Sequence, residues 1–391
     1  MMGFRTYAPT KLIFGIGKLN SMHEIKMPGK NAMIVISNGK STKENGSLDR
    51  TIDQLKMSRI EYAVFDKIEA NPLKSTVMEG AEFARKNKCD FVLALGGGSV
   101  MDAAKAIAAM ATNDGDLWDY VGTGTGKCKI VKNIPLPVVT ITTTAGTGSE
   151  ADSWGVVTNE ETNEKVGFGV EDYLYPVISI VDPELMKTVP PKLTAFQGFD
   201  ALFHSVECYI SKTANFMSDM YAITAIEYVG RYLSRAVKDG NDMAAREGMA
   251  FANTLGGIVM TISSCTSQHA LEHAMSAYHQ DLPHGAGLIM LSIAYFKHFV
   301  NNHACDDRFI RMAQALGMKD ANKPEDFIYM LMELEEECNV ADLKMSEYGI
   351  TPDEFPKLIK NSRDTMGGLF DCDRVPINDK DCEAIFKESY K

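Results

Sequence analysis

Four short apolar runs rich in β-branched residues punctuate the first half of the chain: AMIVIS (Ala32 to Ser37), FVLAL (Phe91 to Leu95), VVTIT (Val138 to Thr142) and VISIVD (Val177 to Asp182). Runs of this kind, separated by amphipathic segments, predict parallel strands joined by crossover helices. Beyond TVPPKLT (Thr188 to Thr194) the strand signal stops and a helical period takes over. Ile223, Ile226, Val229 and Leu233 make one stripe; Phe327, Leu331, Leu334 and Cys338 make another. The change falls near Pro190 and Pro191. The pattern therefore predicts an α/β nucleotide-binding domain with a parallel sheet over 1–187 and an all-helical domain over 188–391, with the active site in the cleft between them. No internal repeat or low-complexity linker interrupts this plan.

Length and composition fit that division. The 391 residues suit two domains, and 45% hydrophobic with 24% charged residues are ordinary globular values. No apolar run approaches the roughly 20 residues of a membrane span. The N-terminal stretch lacks the apolar core and cleavage site of a secretory signal, so the expected location is cytoplasmic. A net charge of −12 with no cluster of Lys and Arg argues against nucleic acid and anionic membranes as partners. A small molecule is the expected partner, and a homodimer the expected assembly because it is the commonest symmetric one. The eight cysteines are scattered without a CxxC and read as reduced thiols.

Two glycine-rich loops carry the first chemical signal. In FVLALGGGSVMDAAK a strand runs straight into a helix through Gly96, Gly97, Gly98 and Ser99. Bare glycines let a diphosphate approach the backbone, and the helix N-terminus behind them offers N–H groups and a favourable dipole. A single such turn is often glycine-rich for steric reasons alone. The second, TTTAGTGSE (Thr142 to Glu150), also follows a strand, and two loops on adjacent strand ends would bracket one nucleotide. No Walker A or GxGxxG is present.

The second signal is histidine. QHALEHAMSAYHQDLPHG (Gln268 to Gly285) holds four of the eight histidines. His269 and His273 are four apart and leave one helix face, as do Asp200 and His204 in GFDALFHSVE. Each pair alone is more often structural. Together, several imidazoles and one carboxylate form the ligand set of Zn²⁺ or Fe²⁺ rather than of Mg²⁺ or Ca²⁺.

The segments PTKLIFGIGKL, GGGSVMDAAK, TTTAGTGSE, VDPEL, GFDALFHSVECYIS and PHGAGL, in this order, resemble the iron-containing (group III) alcohol dehydrogenases, which include lactaldehyde reductases and butanol dehydrogenases. The resemblance spans nearly the whole chain. It implies a dehydroquinate synthase-like two-domain plan and one divalent metal. It also implies reversible hydride transfer between a primary alcohol or aldehyde and NAD(P)(H). Carried over residue by residue, Asp200, His204, His269 and His284 match the metal ligands. His273 matches a histidine facing nicotinamide and substrate, with a proton-relay role. His279 matches nothing required and reads as a loop residue. The spacing from His269 to His284 is one residue longer than in lactaldehyde reductases, which keeps His279 open as a substitute ligand.

For the cofactor, Gly97, Gly98, Ser99 and Asp102 match the diphosphate loop, Thr143, Thr144 and Thr147 the second loop, and Lys165 a lysine near the cofactor. NAD-preferring relatives place an aspartate after the first strand; here Ser37, Asn38 and Gly39 stand there, with Lys40 and Lys43 nearby. That favours NADP(H), since a carboxylate accepts hydrogen bonds from the 2′-hydroxyl but repels a 2′-phosphate. Phe251, Trp154 and the segment Thr365 to Pro376 are candidate pocket walls, a buried core tryptophan being the alternative for Trp154. The rival readings are a glycerol- or polyol-type dehydrogenase of the same superfamily, a metal-dependent hydrolase in which the loops are only turns, and a non-catalytic sensor.

Overall fold

The computed structural model describes residues 3–391. The chain divides into two compact units. One comprises Tyr7–Thr144 and Gly148–Thr188; the other comprises Ala145–Thr147, Val189–Lys391 and residues 3–6. The helical unit thus begins beside Pro190 but also takes three residues from the second glycine loop.

The first unit carries strands β1 (Lys11–Phe14), β2 (Asn31–Ser37), β3 (Glu61–Ile68), β4 (Phe91–Gly96), β5 (Val138–Thr142), β6 (Trp154–Asn159), β7 (Glu164–Gly169) and β8 (Ile178–Val181). Its helices are α1 (Ser41–Glu44), α2 (Ser47–Met57), α3 (Lys74–Lys86) and α4 (Gly98–Thr112). Six strands form one sheet in the order β1-β8-β5-β4-β2-β3, every neighbouring pair parallel. β6 and β7 form a separate antiparallel hairpin. Alternation along the central strands fills both faces. Met33, Val35, Val92 and Ala94 pack with Val77 and Ala81 of α3 and Ala104 and Ile107 of α4. Ala32, Ile34, Ile36, Leu93 and Leu95 pack on the other face with Leu55 of α2 and with Leu19 and Met22.

All four strands expected from the sequence are interior strands of this sheet. The two it passed over, β1 and β3, are the edges. They are partly exposed, so their sequences mix polar and apolar positions.

The second unit is helical: α5 (Pro191–Ile210), α6 (Phe216–Lys238), α7 (Met243–Met260), α8 (Ser267–Tyr278), α9 (His284–Asn301), α10 (Asp306–Leu316), α11 (Glu325–Glu337), α12 (Phe355–Asp371) and α13 (Asp379–Ser389). Pro191 opens α5, where its missing N–H costs nothing because first-turn donors lack helical acceptors. From Thr194 to Ile210 only Gln197 of α5 is not buried, and α6, α7 and α9 pack around it. The stripes of α6 and α11 face inward as the period requires, although Ile223 is only half-buried. No helix among the described residues is long and apolar enough to cross a membrane.

Candidate metal centre and nucleotide loops

α5 presents Asp200 and His204 on successive turns, α8 presents His269 and His273, and α9 opens on His284. The PHG motif explains how His284 arrives. Pro283 caps α9, His284 is the first helical residue, and Gly285 lies against α5: a Cβ there would stand 2.2 Å from the Phe196 carbonyl oxygen. Only glycine allows that approach.

Asp200 is the hub. Its Oδ1 lies 3.7 Å from Nε2 of His269, 3.5 Å from Nε2 of His284 and 3.6 Å from Nδ1 of His204. These separations are too long for hydrogen bonds. Asp200 Oδ1 and His269 Nε2 are fully buried with no hydrogen-bond partner among the described residues. Ligand atoms of Asp200, His269 and His284 all lie within 4.8 Å of one another. The His204 ring stacks on His269 with centroids 4.6 Å apart.

Each of the three imidazoles is held from behind. His204 Nδ1 is 3.3 Å from the Gly146 carbonyl oxygen, which can only accept, so Nδ1 carries the proton. His269 Nδ1 bonds the Glu207 carboxylate, and His284 Nδ1 bonds that of Glu272. For His269 and His284 this leaves Nε2 facing Asp200, whereas the His204 atom nearest Asp200 is Nδ1 itself. The buried, unpartnered Asp200 Oδ1 and His269 Nε2, with His284 Nε2 beside them, fit a divalent cation better than they fit a dry protein interior.

The charge distribution agrees. Burial alone would push the Asp200 carboxyl up, but the imidazoles of His204, His284 and His269 outweigh it and hold the group well below the usual carboxylate range. Burial drives the His204 imidazole down to about 4, so it is neutral at neutral pH. Burial opposes a charge on His269 too, but Glu207 overrides it and raises that imidazole well above its ordinary value. A metal must therefore displace a proton from His269, as ligand binding to imidazole generally requires.

In the first unit, the glycine turn connects β4 to α4, with Gly97 as N-cap. The second loop leaves the neighbouring strand β5, and Thr143 N–H donates to the Gly96 carbonyl at 3.0 Å. A Cβ on Gly97 would stand 2.8 Å from the Thr144 side chain, so the two loops lie against each other.

A family model for iron-containing alcohol dehydrogenase matches residues 9–183, and one for the C-terminal part of the Fe-containing alcohol dehydrogenase family matches residues 194–390. The chain belongs to the iron-containing alcohol dehydrogenases. The choline dehydrogenase of Bacillus subtilis is 34% identical over 100% of this chain and 96% of its own. The NADH-dependent butanol dehydrogenase A of Clostridium acetobutylicum is 34% identical over the full length of both. The solved structure of an archaeal halo-thermophilic alcohol dehydrogenase from a Red Sea brine pool superposes with a TM-score of 0.94 at 36% identity, covering 100% of this chain and 99% of that one. This iron-containing alcohol dehydrogenase is therefore an oxidoreductase that works with a metal and a nicotinamide cofactor.

Other expected residues of the dehydrogenase sit as follows. His273 is buried, its ring 5.3 Å from that of His284. His279 ends α8 and bonds Glu354 at 3.2 Å, outside the clusters of ligand atoms. Ser37 ends β2, and Asn38 N–H donates to the Ile68 carbonyl at 2.9 Å. Lys43 is paired with Asp66 at 2.6 Å. The Ser99 hydroxyl is bonded to the Ala70 carbonyl. Thr147 goes with the helical unit, and Lys165 is buried in β7 opposite Thr158. Asp102 turns inward: Ser149 Oγ donates to it at 2.7 Å and Val156 N–H at 2.9 Å, and burial pushes its carboxyl up to about 6. Lys105 completes this buried network through Ser149 and Asp152, both at 2.8 Å. Trp154 is 54% exposed, which excludes a core role. Phe251 packs edge-on to Tyr228, and in the Thr365 to Pro376 segment Asp373 is fully buried.

Sequence reasoning missed Glu207, Glu272 and Cys265. The two glutamates are fully buried in helices, an unusual place for a carboxylate without a task. Cys265 brings its Sγ within 4.8 Å of His204 and His269 ligand atoms.

Proposed function

We propose that the enzyme interconverts small primary alcohols and aldehydes, with Asp200, His204, His269 and His284 as the ligands of one Fe²⁺ or Zn²⁺. The observation that carries this reading is the convergence of His269 and His284, each tethered at Nδ1 with Nε2 facing inward, on the unpartnered Oδ1 of Asp200, with the His204 ring stacked on His269. The metal when bound supplies Lewis-acid polarisation of the alcohol or aldehyde oxygen, and the nicotinamide supplies the hydride acceptor or donor.

The chain's own groups do the rest. Asp200, ionised through neutral pH, sets the charge of the centre, and burial keeps bulk water from screening it. His273, buried one turn beyond His269, is the group that takes up the substrate hydroxyl proton at an imidazole nitrogen. Gly97, Gly98 and Ser99 offer the α4 N-terminus to the diphosphate, with Thr143, Thr144, Thr147 and Lys165 as further cofactor contacts. Asp102 acts from behind, fixing α4 to the Ser149 and Val156 backbone segment.

For the nucleotide we favour NADP(H) with NAD(H) also accepted. Uncharged Ser37, Asn38 and Gly39 leave no carboxylate to repel a 2′-phosphate. The pairing of Lys43 with Asp66 leaves Lys40 as the nearby cation and makes the preference modest. The names choline dehydrogenase and butanol dehydrogenase among the relatives support a small alcohol as substrate. The test is aldehyde-dependent loss of reduced nicotinamide absorbance with NADPH and with NADH, before and after chelation and with Fe²⁺ or Zn²⁺ restored. Turnover that follows the metal supports the reading; equal turnover in a metal-free preparation overturns it.

A further inference from the structure

Glu207 and Glu272 are fully buried, and each lies against a histidine side chain. An ionised carboxylate in such a place is unfavourable by several kcal/mol unless a cation or several donors compensate it. Each bonds a histidine that lies on a different helix. Glu207 of α5 bonds Nδ1 of His269 on α8, and Glu272 of α8 bonds Nδ1 of His284 on α9. The two contacts form a relay across three helices.

Both glutamates are themselves held. The second oxygen of Glu207 accepts from the Thr266 N–H at 2.8 Å and the Thr266 hydroxyl at 3.0 Å. Thr266 Oγ1 in turn meets the Tyr295 hydroxyl, which reaches Asp373 at 2.9 Å. Glu272 occupies a berth made by an absent side chain: a Cβ on Gly287, one turn along α9 from His284, would stand 2.7 Å from Glu272 Cγ.

Resting on the ligand set proposed above, we infer that Glu207 and Glu272 are positioning residues that fix which nitrogen His269 and His284 give to the metal. A carboxylate cannot donate, so it selects the Nδ1–H form and turns Nε2 toward Asp200. The same contacts hold each ring in the plane in which its second nitrogen faces Asp200. Loss of such a partner typically costs metal affinity by ~10–100-fold.

The experiment uses Co²⁺ and Zn²⁺ as probes of the metal-free full chain, read by the Co²⁺ visible spectrum and by competition with a chelator. The Glu272→Ala variant is expected to bind both ions ~10–100-fold more weakly. Glu272→Gln keeps an acceptor and should retain most of the affinity. Gly287→Ala, which alters no ligand, should weaken binding by pushing Glu272 from its berth. Glu207→Gln should fall further than Glu272→Gln, because one amide oxygen cannot serve both His269 and Thr266. A purely structural role would lower the melting temperature of the metal-free variants and leave their affinity for Co²⁺ unchanged. An Asp200-dependent Co²⁺ band that is equally tight in Glu272→Ala, Gly287→Ala and Glu207→Gln overturns this inference alone. If the wild-type chain gives no Asp200-dependent band, the ligand set fails and the inference with it.

Discussion

Nε2 of His269 stands 3.7 Å from Oδ1 of Asp200, and both atoms are buried without a hydrogen-bond partner among the described residues. Two polar atoms left this way are unfavourable by about 1–3 kcal/mol each. On the proposed ligand set an ion between them would remove that deficit, and Nε2 of His284 faces the same oxygen at 3.5 Å.

Removing either atom should empty the centre. Asp200→Ala and His269→Ala are expected to lose metal retention and to lower turnover by ~3 orders of magnitude, the scale of several kcal/mol of Lewis-acid assistance. Nucleotide binding, measured by fluorescence titration, should persist. Metal content equal to wild type in both variants would contradict the assignment.

Gly285→Ala tests how His284 is delivered. The new methyl would meet the Phe196 carbonyl at 2.2 Å, so the first turn of α9 must move off α5. Misplacement on the order of 1 Å near a reacting centre costs about 100-fold in kcat/KM. The expected outcome is that loss together with weaker metal binding, and a variant with wild-type metal affinity would show that the close approach is dispensable.

On the proposed placement of the ribose, the end of β2 sets the cofactor choice. Asn38→Asp should move the ratio of kcat/KM for NADPH and NADH toward NADH by ~10-fold, the effect of about 1.4 kcal/mol of carboxylate repulsion and hydrogen bonding. An unchanged ratio means that the 2′-position of the ribose lies elsewhere.

Glu335 of α11 gives a pH dependence separate from the metal. It accepts from Ser292 Oγ at 2.8 Å, and burial pushes its carboxyl from an ordinary value of 4.5 up to about 8. Between those values the folded chain binds a proton that the unfolded chain releases. Stability therefore falls as pH rises through that window and levels off above it. Glu335→Gln should raise the melting temperature by several degrees near pH 8.5 and by almost nothing near pH 4.5. The same difference at both pH values would assign the effect to packing instead.

The legible parts of this chain were those where burial is continuous. β2, β4, β5 and β8 are interior strands with both faces covered, so each is written as an unbroken apolar run; the edges β1 and β3 are not, because one side meets water. The pairs Asp200/His204 and His269/His273 stand out by helical spacing and residue type, whereas His284 is legible only through the family resemblance. Glu207 and Glu272 also stand one turn after a histidine, yet neither serves the histidine it follows. Their pairing depends on how α5, α8 and α9 pack, and no spacing within one helix encodes that. Asp102, expected from the resemblance to belong to the diphosphate loop, accepts from Ser149 and Val156 of its own chain, contacts that its place in the sequence does not reveal.

The ligand set is tested most directly by X-ray absorption at the metal edge of the Fe²⁺- or Zn²⁺-loaded protein. The arrangement predicts a first shell of oxygen and nitrogen from one carboxylate and three imidazoles, with no sulfur. Sulfur scattering at about 2.3 Å would contradict it, and would place the ion between His204, His269 and Cys265 instead.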